Sequence, residues 1–152
     1  MMSKAREIVS NAVDRLTQPE RLVSAGKTPF TVFHDDGLIK LRHYPAENTN
    51  QSHKVPLLIV PPLAVNTLIY DWFPQRSFVK YFRDRGYQVY LIDWGSPNRR
   101  HAHYTLATYV TEFLPDLIQR VREHSGQSTL SLHGWSMGGG FVLCYQAYHQ
   151  DP

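Results

Sequence analysis

The sequence predicts an α/β fold built on a largely parallel sheet, on three observations. Two apolar runs, Val55-Pro56-Leu57-Leu58-Ile59-Val60 and Tyr87-Gln88-Val89-Tyr90-Leu91-Ile92, have the length and composition of strands buried on both faces. Segments of helical spacing separate them from each other and from a third β-prone stretch, Ser128-Thr129-Leu130-Ser131-Leu132. That stretch also reads as a buried strand, and it runs through a glycine-rich turn into the helix-compatible Phe141 to Tyr148. Strands alternating with helices imply right-handed crossovers and parallel pairing.

The elements follow in order. Residues 4 to 24 place Ile8, Val9, Val13, Leu16, Leu22 and Val23 at near-helical spacing, broken by Pro19. Residues 1–27 are therefore expected to form a helical arm, packed on the outside of the main body or frayed from it, and residues 28–152 the α/β domain. Thr28 to His34 and Leu38 to Tyr44 alternate about Asp35-Asp36-Gly37, a hairpin. Pro45 to His53 is a polar loop, and His34, His43 and His53 read as solvated, without the spacing of a metal site. Tyr70 to Pro74 reads as an aromatic link. Ser77 caps a helix over Phe78 to Arg85 that Gly86 closes, and Asp93 caps the loop after the second buried strand. Asn98-Arg99-Arg100-His101-Ala102-His103 is the one local basic cluster; arginine forks suit phosphates, but two of them in six residues read as a solvated loop. Thr105 to His124 has helical periodicity, and Pro115 should kink or split it.

The bulk numbers exclude several function classes. The chain has 152 residues, 42% hydrophobic and 19% charged, a globular composition for one domain. Its net charge of +3 is spread along the chain, not gathered in the basic stripe that nucleic acid requires. One cysteine excludes an intrachain disulfide, and the first residues lack the apolar core of a signal peptide. The longest apolar run, Val55 to Val65, is short and holds three prolines, so no transmembrane segment is expected. The expectation is a soluble cytoplasmic protein without a metal or an organic cofactor.

Chemistry concentrates in the turn after the third strand. Gly134, Ser136 and Gly138 form G-x-S-x-G between strand and helix, the setting of a nucleophile elbow with the serine Oγ exposed above the sheet. A Cβ at 134 or 138 is expected to collide with neighbouring backbone, and the turn to need φ/ψ values that glycine tolerates best. In the α/β-hydrolase fold the first backbone donor for the oxyanion is the N–H after the nucleophile, here Met137. The second comes from the loop after the first buried strand. Pro61 and Pro62 have no N–H, which leaves Leu63 or Ala64. Asn66 is a candidate to order that loop or to touch substrate.

Val55 to Val60, Asn66, Gln75-Arg76-Ser77, Val89-Tyr90-Leu91-Ile92-Asp93-Trp94-Gly95-Ser96-Pro97 and the elbow together resemble the N-terminal half of polyhydroxyalkanoate synthases, over about residues 28 to 150. The resemblance implies the N-terminal part of an α/β-hydrolase fold and an acyltransferase that moves 3-hydroxyacyl groups from coenzyme A thioesters onto a polyester. It implies an acyl-CoA or ester as the small-molecule substrate, with the coenzyme A thioester a substrate rather than a cofactor. It leaves room for a partner subunit or a granule surface. The family is similar except that its nucleophile is cysteine, where this chain has Ser136. Cys144, eight residues further on, is expected in the core. A serine suits ester hydrolysis as well as acyl transfer, so a serine esterase or polyester depolymerase is the alternative.

The triad of this fold runs in the order serine, acid, histidine. After Ser136 the sequence offers His149 and Asp151, about 20 Å away along a helix rising 1.5 Å per residue, which is out of reach. His101, His103 and His133 are weak substitutes, His133 being expected to point away from the serine. The acid and base are therefore expected beyond residue 152, and a third reading is an inactive fragment that lacks both.

Overall fold

The computed structural model describes residues 2–17, 24–47 and 53–151, and places five strands in one sheet of order β1-β2-β4-β3-β5. β1 (Thr31–Asp35) and β2 (Lys40–Tyr44) form the expected antiparallel hairpin. In its turn the Asp36 carboxylate accepts from the N–H groups of Leu38 and Ile39, at 2.9 and 2.7 Å. β2 also pairs antiparallel with β4 (Val89–Asp93). β3 (Leu57–Val60) lies parallel to both β4 and β5 (Ser131–Gly134).

The central strands are buried on both faces, as their unbroken apolar runs require. On one face Leu58, Val60, Tyr90 and Ile92 meet Leu114, Leu117, Ile118 and Val121 from α3 (Leu114–Ser125), with Phe141 and Tyr145 from α4 (Met137–His149). On the other, Leu57, Ile59, Val89 and Leu91 pack with Val79 of α2 (Phe78–Arg83). Ser77 caps α2 as expected, its hydroxyl accepting from the Lys80 N–H at 3.0 Å.

The pairing of Val60 with Gly134 has a functional consequence. It sets the carboxyl ends of β3 and β5 side by side, with β4 ending at the same edge. The loops that leave these strands share the rim where α/β sheets place their sites.

The remaining expectations divide. The helical run is split at Pro115: a π turn at Tyr109–Phe113 precedes it, and the Leu114 N–H reaches back to the Tyr109 carbonyl before α3 begins. The proline thereby falls in the first turn of α3, where a missing N–H costs little. The link at Tyr70 begins as a 3-10 helix, Thr67–Tyr70. β5 is half exposed rather than buried, since among the described residues it pairs with β3 alone. His43 is not solvated: it stacks on Tyr90 at 4.7 Å and meets His124 edge-on at 4.9 Å, with its Nε2 buried. His53 stacks on Tyr87 at 3.9 Å and is exposed, as expected. Cys144 is exposed, not in the core, because only the Phe141 and Tyr145 face of α4 turns inward.

The N-terminal arm is helical as α1 (Met2–Thr17), but its apolar stripe does not pack. Ile8, Val9, Val13 and Leu16 keep 50 to 86% of their surface exposed. Pro19, Leu22 and Val23 lie outside the described residues. Residues 24–28 are tied to the body through buried Asp71, whose carboxylate accepts from the Thr28 N–H at 2.8 Å and the Thr28 hydroxyl at 2.7 Å.

Candidate active site

Two residues, Trp135 and Ser136, join β5 to α4, and Ser136 is the cap of the helix, with φ 53° and ψ −125°. Such a conformation costs a non-glycine residue about 1–3 kcal/mol, so neighbouring structure must impose it. The two motif glycines do so by permitting contact. A Cβ on Gly134 would lie 2.5 Å from the Gly138 carbonyl oxygen, and one on Gly138 only 2.0 Å from that of Val60. Neither glycine has positive φ. The collisions are those the sequence predicts, but the strained torsion falls on the serine and not on its glycines. The Ser136 side chain is exposed and makes no capping hydrogen bond.

The backbone donors expected at the site have no partners. Among the described residues no group accepts from the N–H of Met137, Leu63 or Ala64. Met137 opens α4, so its amide also carries the positive end of the helix dipole. Pro61 and Pro62 are buried and carry no N–H; Leu63, half-buried against the core, and the exposed Ala64 follow. The near contact of Gly138 with Val60 and Pro61 seats the start of α4 against the start of that loop. The loop forms one wall of a cleft of about 550 Å³, with Asp93, Trp94 and Arg42 opposite.

Asn66 orders the loop: its side-chain oxygen accepts from the Leu68 N–H at 2.9 Å and caps the 3-10 helix. It also borders the cleft. Asp93 is engaged at both oxygens, one accepting from the Gly95 N–H at 3.1 Å and the other paired with Arg42.

The acid–base residues of the region are elsewhere. His133 packs on Phe78 of α2 at 4.7 Å, and burial pushes its pKa below 6.5. Asp151 is gripped by the Arg122 guanidinium, 2.8 Å to each oxygen, and accepts from the Tyr145 hydroxyl. His149 lies against Tyr145 and Tyr148 at the far end of α4. His101 belongs to the 3-10 turn Arg99–His101, whose start Asn98 caps, and His103 packs edge-on against Tyr104. Among the described residues no group of three or more His, Cys, Asp or Glu is arranged to hold a metal.

Sequence reasoning missed Trp94, which borders the cleft. Trp94 is 4% exposed and meets Tyr109 and Phe141 edge-on, with centroids at 5.3 and 6.2 Å. The available signal was a tryptophan at the carboxyl end of a buried strand, two residues after Ile92.

Comparison with known proteins agrees with this architecture. The model of the alpha/beta hydrolase fold matches residues 55–152, and that of the poly-beta-hydroxybutyrate polymerase (PhaC) N-terminus matches residues 21–82. The chain is 41% identical over 125 residues to the poly(3-hydroxyalkanoate) polymerase subunit PhaC of Haloferax mediterranei, covering 82% of this chain and 25% of that one. It is 35% identical to the subunit of the same name from Haloarcula marismortui, covering 99% of this chain and 33% of the relative. For that of Allochromatium vinosum the identity is 30%, covering 99% and 42%. The chain thus spans less than half the length of these relatives. A crystal structure of a putative lipase from Sulfolobus solfataricus superposes with a TM-score of 0.56 over 82% of this chain and 45% of that one, at 19% identity, a likeness of fold. The chain belongs to the α/β-hydrolase fold family, as a polyhydroxyalkanoate synthase-like member with a serine at the strand-to-helix bend.

Proposed function

We propose that this chain carries the nucleophile and oxyanion site of an acyltransferase, which moves 3-hydroxyacyl groups from coenzyme A thioesters onto a growing polyester through an acyl ester at Ser136. The observation that carries the reading is an exposed serine in a strained bend beside an unengaged helix-start amide, in a chain whose relatives are named poly(3-hydroxyalkanoate) polymerases.

In this chemistry the Ser136 Oγ attacks the thioester carbonyl carbon while its proton passes to a base. The carbonyl oxygen takes the negative charge, which the N–H groups of Met137 and of Leu63 or Ala64 receive. Loss of one such donor costs about 3–4 kcal/mol of transition-state stabilisation in comparable sites. The C–S bond then breaks, coenzyme A leaves as a thiol carrying the proton, and Ser136 holds the acyl group. Attack by the hydroxyl of a hydroxyacyl acceptor on that ester lengthens the acceptor by one unit and returns the proton to Ser136. Neither His149 nor Asp151 is placed to be the base, and the reading assigns base and acid to sequence outside the described residues.

A hydroxyl nucleophile favours one further reading, hydrolysis of an ester or polyester, in which water replaces the hydroxyacyl acceptor. The reading places the enzyme in the cytoplasm, and the word subunit in the relatives' names supports a partner chain, with the polyester granule as a second contact. Incubation with 3-hydroxybutyryl-coenzyme A tests it. Release of coenzyme A with polymer is the expected result; release with free 3-hydroxybutyrate supports hydrolysis; no release in an enzyme of full length overturns both.

A further inference from the structure

The loop that offers Leu63 and Ala64 begins with a backbone oxygen held in an unusual way. Pro61 follows the last residue of β3, and its carbonyl oxygen accepts from the indole Nε1–H of Trp94 at 2.8 Å. No other donor reaches this oxygen among the described residues. The peptide it belongs to ends on Pro62, which has no N–H of its own, so among the described residues that one bond is the hydrogen bond that holds the Pro61–Pro62 peptide, beside the packing of the two buried rings. The orientation of the peptides that follow, those carrying the N–H groups of Leu63 and Ala64, is set from there.

Trp94 is itself rigid. It is 4% exposed, and its ring meets edge-on both Tyr109 of the π turn and Phe141 of α4, which stack on each other at 6.0 Å. The backbone on both sides of it is pinned. Asp93 pairs with Arg42, and Gly95, at φ 65°, approaches Leu38 so closely that a Cβ would lie 2.1 Å from the Leu38 carbonyl oxygen. Phe141 lies on the inward face of the helix that Met137 opens. One indole therefore touches the body of the helix carrying the first donor and holds the loop carrying the second.

We infer that Trp94 is a positioning residue for the oxyanion site, fixing the loop donor relative to the Met137 amide through its hydrogen bond to the Pro61 carbonyl. The inference rests on the acyl-serine reading for its catalytic meaning, and on the hydrogen bond alone for its structural content.

The test removes the N–H and keeps the ring. Trp94→Phe retains an aromatic face toward Tyr109 and Phe141, and benzothienylalanine placed at position 94 retains the full shape of indole without a donor. Hydrogen–deuterium exchange of both variants is expected to show the hydrogen-bonded amides at the end of that loop, Leu68 and Ile69, exchanging faster by about tenfold, the size of one lost neutral hydrogen bond, with β4 and α4 unchanged. In turnover of 3-hydroxybutyryl-coenzyme A, kcat should fall with KM held, because the lost contact acts only on the developing oxyanion. Unchanged exchange in the loop of the benzothienylalanine variant would overturn the assignment. So would faster exchange spread evenly over β3, β4 and α4, which would make Trp94 a core residue only. Full turnover in Ser136→Ala, by contrast, would remove the acyl-serine reading and leave the loop result standing.

Discussion

At the scale of single residues, the account depends on close approach. Gly138→Ala must move either the Val60 carbonyl or the whole start of α4, because the new methyl has 2.0 Å of room where contact requires more than 3 Å. It should cost about 2–3 kcal/mol or more, measured by denaturant unfolding. Gly140→Ala is the matched control: nothing lies within 4 Å of its Cβ, and a helix-interior glycine replaced by alanine should gain about 0.5–1 kcal/mol. Equal effects at the two positions would contradict the clamped bend. A second residue-scale prediction concerns pH. Burial first, then the nearby His124 ring, hold His43 below its ordinary 6.5, with Gln88 acting in the other direction. The folded state therefore binds the His43 proton less readily than the unfolded chain, so stability is full above pH 6.5 and declines as pH falls below it. His133, lowered by burial, adds to the same decline. His43→Phe keeps the stack on Tyr90 and removes a buried nitrogen without a partner, so its melting temperature should fall less between pH 7.5 and 5.5 than that of the parent.

At the scale of elements, the strands and the elbow were legible in the sequence for a physical reason. β3 and β4 are covered on both faces, which demands unbroken apolar runs, and the strand-to-helix bend admits only glycine where backbones touch. What was not legible came from tertiary contact. Nothing local distinguishes the His43 of a solvated hairpin from one roofed by Tyr90 and His124. The split at Pro115 was legible, but its form, a π turn ahead of the proline, was not, because periodicity does not give the hydrogen-bond register. The exposure of Cys144 depends on which face of α4 meets the sheet, and an almost wholly apolar helix does not announce it. Two predictions belong here. Asp71→Ala leaves the buried Thr28 N–H without an acceptor and its hydroxyl with Ser77 alone, at 3.3 Å, and should cost about 2–3 kcal/mol in unfolding experiments. We also propose that residues 1–27 act as an arm separate from the domain of residues 28–152. Removal of residues 2–17 should then leave the melting temperature within about 2 °C, since the described apolar side chains of α1 bury little. A fall much larger than that would mean the arm packs on the body.

For the whole molecule, one sheet edge organises everything proposed. β3, β4 and β5 end together, and from those ends come the loop of Leu63 and Ala64, the loop of Trp94, and Ser136. Fold and family followed from patterns that stay within a few residues. The acid–base partners that the proposal needs did not, since Asp151 and His149, which follow Ser136, are held by Arg122 and Tyr145. The measurement that reaches the central claim most directly is peptide mapping of enzyme quenched during turnover of 3-hydroxybutyryl-coenzyme A. The account predicts a hydroxyacyl ester on the peptide containing Ser136, absent from Ser136→Ala along with all turnover. An acyl group on Cys144 instead, or normal turnover in the alanine variant, would contradict it.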